Sequence, residues 1–82
     1  MKENVNRFAK YVALSAGLDE KMVEVLDYDL DRIYLNYKGT EYIIRMWSIT
    51  SEEVKAYTLY RIVSDGRCSH GEKIFAGEHY YF

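Results

Sequence analysis

The sequence predicts an α+β fold: an N-terminal amphipathic helix packed on a mainly antiparallel four-stranded sheet, arranged as a meander. Three observations lead there. Val5, Phe8, Ala9, Val12, Ala13 and Ala16 recur at helical spacing. Residues 32–49 alternate with a period of two about a short glycine-containing turn, the pattern of an antiparallel hairpin. Segments 57–64 and 73–82 then return to strand character around an Asp65-Gly66 turn signal. With no repeat, linker or low-complexity stretch, a single domain over residues 1–82 is expected.

Taken in order, Asn4 suits a helix N-cap, and Gly17 falls where a left-handed residue would end the helix and return Leu18 onto its last turn. Met22, Val23, Val25 and Leu26 suit either a short strand or an irregular lead-in. In the hairpin, Ile33, Leu35, Tyr37, Ile43, Trp47 and Ile49 are expected on one face, with Tyr34, Tyr42, Ile44 and Met46 on the other. Thr50-Ser51-Glu52-Glu53 fits a capping box for one helical turn through Lys55, or a polar connection. In the last strand Ile74, Ala76, Tyr80 and Phe82 are placed on one face, with a bulge at Gly77.

Composition narrows function by exclusion. The net charge of -2 gives no general attraction to nucleic acid or to an anionic membrane. The N-terminal stretch lacks the apolar run of a signal peptide or membrane span, and the lone Cys68 cannot form an internal disulfide, so a cytoplasmic setting is expected. Nine tyrosines, three phenylalanines and one tryptophan exceed what a small core needs, and such residues favour interfaces.

No motif carries a specific chemistry. Asp27-Tyr28-Asp29-Leu30-Asp31 begins like a calcium loop, but Arg32 and Lys38 stand where that loop needs Gly and Glu. If extended, its carboxylates repeat every ~7 Å, close to the phosphate spacing of one DNA strand. They then imitate nucleic acid or meet a basic protein surface; the plainer reading is a solvated acidic run. Gly66 and Gly71 are spaced as in a phosphate loop, yet Glu72 and Lys73 replace the required lysine and hydroxyl, and no helix follows. Cys68, His70 and His79 suggest a metal site only if Glu72, Glu78 or a partner supplies the missing ligand, and a thiol-dependent enzyme only with an orienting group and oxyanion hole that the sequence does not display, so neither metal nor cofactor is expected.

The leading expectation is a non-catalytic protein-binding module that occupies another protein's surface, with self-association into a homodimer as one route. Its contact candidates are Tyr34, Tyr42, Met46 and Tyr60, with Asp27, Asp29 and Asp31 for a basic groove. Short, tyrosine-rich, motif-poor chains are similar in composition to small bacteriophage and mobile-element proteins that inhibit host enzymes. The alternative is single-stranded nucleic acid on a sheet where Arg32, Arg45, Arg61 and Arg67 interleave with Tyr34, Trp47, Tyr57 and Tyr60.

Overall fold

Helical spacing of small and apolar side chains produces helix α1, Lys2–Ser15, in the computed structural model, which describes residues 2–82. Phe8, Ala9, Val12 and Ala13 are buried, and Arg7 and Lys10 face water. The helix starts ahead of Asn4, so Asn4 lies in its first turn and is not the N-cap. Its end follows the expected Schellman pattern: Gly17 takes φ +86, its N–H donates to the Leu14 carbonyl, and the Leu18 N–H donates to the Ala13 carbonyl.

After a 3-10 turn at Glu20–Met22, five strands follow: β1 Val23–Tyr28, β2 Arg32–Tyr37, β3 Thr40–Ile49, β4 Glu53–Asp65 and β5 Cys68–Tyr81. Each pairs antiparallel with the next, giving a meander of order β1-β2-β3-β4-β5. The sheet therefore has five strands, not four. The added strand is the ambiguous segment, where Val23 and Val25 alternate with Glu24 and pair with Tyr37 and Leu35. A bulge at Leu26, between the Val25 and Asp27 pairs, ends that alternation and leaves Leu26 exposed.

The first hairpin corrects the expected faces. Lys38 and Gly39 both adopt positive φ, +50 and +84, in the two-residue loop that joins the Tyr37 and Thr40 partners. An even loop pairs odd-numbered residues with even-numbered ones: Ile33 with Ile44, Leu35 with Tyr42, Tyr34 with Ile43. Ile33, Leu35, Tyr42, Ile44 and Leu59 thus share the helix-covered face and are buried, while Tyr34, Ile43 and Trp47 lie on the other. The anticipated faces required an odd loop.

Thr50 does not open a helix. Its Oγ1 accepts from the Glu52 and Glu53 N–H groups at 3.2 and 3.1 Å, closing a hairpin between Ile49 and Val54. The same hydroxyl chemistry that caps helices here ties a turn.

In β5 the bulge falls at Ile74, between the Leu59–Phe75 and Tyr60–Lys73 pairs, and not at Gly77. Ser48 and His79 adopt left-handed φ of +54 and +56, and both lie between the regular pairs that flank Lys55. Alternation breaks there in three strands without loss of register. Phe75 and Gly77 accordingly sit opposite Leu59 and Tyr57 on the helix side, Ala76 sits opposite Thr58 on the other face, and beyond the kink Tyr80 returns beneath Phe8, at 4.7 Å between ring centroids.

Gly77 has a packing role instead. A Cβ at that position would fall 2.6 Å from Cε2 of Tyr57, so the bare backbone is what lets the Tyr57 ring lie across β5. From there Tyr57 meets Phe8 edge to face at 5.1 Å. Burial, then the Tyr11 and Tyr80 phenols nearby, push the Tyr57 hydroxyl up to about 12.

Candidate functional site

Two surfaces combine concavity with exposed chemistry. The first is an apolar groove of about 530 Å³ where the N-terminal half of α1 meets the β1–β2 and β3–β4 turns. Phe8, Ile33 and Met46 belong to its lining from the core, and Tyr28, Leu30, Ile49 and Phe82 from the surface. Asn4, Asp29, Thr50 and Ser51 supply its polar members.

The turns place those exposed residues by hydrogen bonding. The Asp29 N–H donates to the Arg32 carbonyl at 2.8 Å, closing the β1–β2 connection with Leu30 at its tip, and the Met46 N–H ties that turn to β3 through the Asp31 carbonyl. The Phe82 N–H donates to the Glu52 carbonyl at 2.9 Å, extending β5 pairing to the end of the chain. Leu30 is 93% exposed, the most complete exposure of a large apolar side chain among the described residues. An apolar side chain left in water beside an apolar groove contributes nothing to the fold that a polar residue would not.

The second surface is the helix-free face. Tyr34, Ile43 and Tyr60 form one cross-strand row, and Arg32, Arg45, Thr58 and Ala76 the next. Tyr34, Ile43, Arg45, Tyr60 and Ile62 are all half-buried, so the sheet partly covers its own face. Arg45 lies over the Trp47 ring at 5.3 Å, which engages both residues.

The expected contact residues divide between these places. Met46 lines the groove, and Tyr42, 6% exposed, is part of the core against Tyr37. Tyr34 and Tyr60 lie together on the helix-free face. The carboxylate ladder does not form: only Asp27 is in a strand, where its own carboxylate accepts from the Tyr28 N–H at 2.8 Å, and Asp29 and Asp31 belong to the turn. A ladder at strand spacing needs an extended chain through Asp31, and the hairpin reverses before it.

Cys68, His70 and His79 do not converge. All three are on β5, and the eleven-residue separation of Cys68 from His79 along one strand amounts to on the order of 30 Å. Among the described residues no group of three His, Cys, Asp or Glu side chains is placed to share a metal ion. Arg61, one of the arginines expected near phosphates, is instead paired with Glu72 across β4 and β5 at 2.7 Å. His79 lies 3.6 Å from Glu53.

Of the groove's exposed apolar residues, the sequence pattern gives Leu30 and Tyr28 no contact role, and it offers Phe82 either as part of a Tyr80-Tyr81-Phe82 tail read by a partner or, more simply, as the end of the last strand. For Leu30 a signal existed: a leucine between two aspartates in a reversing segment has no core to enter. Ile49 and Phe82 follow the strand pattern and read as core, and the kink beside Ser48 and His79 is what turns them to the groove.

No family model matches the chain, and neither curated proteins nor solved structures include a significant match to it. No helix among the described residues is long and apolar enough to cross a membrane.

Proposed function

We propose that the chain is a non-catalytic protein-binding module, and that the groove beside the α1 N-terminus receives an apolar segment of the partner. The observation that carries this reading is Leu30, 93% exposed at a hydrogen-bonded turn, on the rim of an apolar groove. Grooves of this size with few polar members favour apolar side chains of a ligand or peptide, and Asn4 and Ser51 at its edge supply polar groups for its backbone. The tyrosine-rich, motif-poor composition fits a small regulator or inhibitor that docks on a host protein, as some bacteriophage proteins do. A second copy of the chain is the other occupant of the same chemistry.

The test immobilises the wild-type chain, Leu30→Asp and Arg45→Gln, and exposes each to nuclease-treated host lysate. A buried leucine contributes about 1.5–3 kcal/mol, so a specific partner should be retained at least ~10-fold less by Leu30→Asp and unchanged by Arg45→Gln. Retention of the same proteins by wild type and Leu30→Asp refutes the groove, as does retention of none by a chain that stays monomeric. Light scattering over a concentration series separates self-association: a dimer that Leu30→Asp dissolves assigns the groove to a second copy.

A further inference from the structure

Arg32 on β2 and Arg45 on β3 are directly opposed cross-strand partners on the helix-free face, and neither is in an ion pair among the described residues. Like charges placed directly opposite destabilise a sheet, and among the described residues no carboxylate pairs with either arginine to offset that. Arg45 Nε is moreover buried with no hydrogen-bond acceptor among the described residues. A guanidinium over an indole ring uses its face, and its in-plane N–H groups stay free for an oxyanion. Both arginines line a shallow dish of about 320 Å³ with Ile43, Tyr60, Ile62 and Gly71. Gly71 leaves room for the Tyr60 ring at the edge of that dish: a Cβ there would come within 3.3 Å of Cδ1 of Tyr60.

We propose that this dish binds a small aromatic oxyanion, a planar ring bearing one phosphate or carboxylate, with the charged group between Arg32 and Arg45 and the ring against Ile43 and Tyr60. Paired guanidinium groups match the geometry of either oxyanion, and the apolar members of the dish suit a ring and not a solvated chain. A nucleic-acid strand is disfavoured because the β1 side of the same face is acidic. Asp27 pairs with Tyr34 there, and Glu24 and Glu41 both pair with Asn36. The positive field thus spans three side chains, Arg32, Arg45 and Lys73, the last opposite Tyr60 at the outer strand, whereas a polymer draws its affinity from a longer run of phosphate contacts. This site is independent of the groove and survives its failure.

Trp47 is the only tryptophan in the chain and lies against Arg45, so its fluorescence reports on the site. The wild-type chain is titrated at low salt with phenyl phosphate, benzoate, inorganic phosphate, benzyl alcohol and a short oligothymidylate, with calorimetry in parallel. One of the two aromatic acids is expected to give a saturable change and to bind at least ~10-fold more tightly than inorganic phosphate or benzyl alcohol, and the tighter acid identifies the oxyanion. Arg32→Gln and Arg45→Gln should each weaken it about 10- to 100-fold by calorimetry. Arg32→Gln should also melt higher than wild type, because it relieves the repulsion. No saturable response to either acid, equal affinity for inorganic phosphate, unchanged affinity in both variants, or tighter binding of the oligothymidylate each overturns the proposal. So does a lower melting temperature of Arg32→Gln with affinity unaltered, which makes the arginine structural.

Discussion

Gly77→Ala is the sharpest test of how the core supports the groove. Gly77 is not at positive φ, so alanine meets no backbone objection; the obstacle is the Tyr57 ring, with Cζ and Cε2 at 2.5 and 2.6 Å from the added Cβ. Real Cβ atoms do not approach that closely, so the ring must move. Tyr57 is only 3% exposed and touches Phe8 at 5.1 Å, and Phe8 is itself 1% exposed in the groove lining, so the displacement propagates into packed neighbours. Overpacking of this kind costs about 1–3 kcal/mol, and losing the aromatic pair adds about 0.5–1.5. Together ~2–4 kcal/mol corresponds, for a domain of this size, to a fall in Tm of roughly 10–25 °C. The assay is urea unfolding followed by circular dichroism, on Gly77→Ala, Tyr57→Leu and the double variant. Tyr57→Leu removes the ring that clashes, so the double variant should lose less than the sum of the single losses by about 1 kcal/mol or more. A Gly77→Ala protein within ~0.5 kcal/mol of wild type, or strict additivity in the double variant, refutes the reasoning.

Three further outcomes are expected. Ile44→Ala, at a position with 0% exposure on the central strand, should cost about 2–5 kcal/mol by chemical denaturation. Stability should fall above pH 10: the unfolded chain releases the Tyr57 proton near 10 while the folded chain holds it to about 12, so the folded state binds more protons in that window and loses up to roughly 2–3 kcal/mol across it. A pH series of urea midpoints measures this, and Tyr57→Phe should flatten the alkaline limb. Leu30→Asp should leave stability within ~0.5 kcal/mol of wild type, since its side chain is already in water, and that invariance is what makes it a clean probe of binding.

The sequence by itself determined the helix and four of the five strands. Helical spacing from Val5 to Ala16 with Gly17 after it dictates an amphipathic helix and its Schellman end, because only residues spaced three and four apart share a helix face, and glycine enters the left-handed region without a Cβ penalty. Period-two patterning likewise dictates strands and an antiparallel meander joined by short turns. Phase was left to the tertiary structure. Whether Lys38-Gly39 closes as a two-residue turn or Thr40 joins it decides whether Tyr34 and Tyr42 share a face or are divided between the buried and the helix-free one, since a one-residue shift exchanges every side chain of a strand between faces. The strand character of Val23 to Tyr28 depended on the free edge of β2, which offers pairing partners only after the hairpin exists. The acidic ladder failed for a related reason: reversal at Asp29 to Asp31 is fixed by bonds to Arg32 and to β3, not by the aspartates themselves. Both candidate surfaces are products of this register. The opposition of Arg32 to Arg45 and the convergence of Leu30, Ile49 and Phe82 join residues distant in sequence, and only the paired backbone of the folded sheet sets which of them meet.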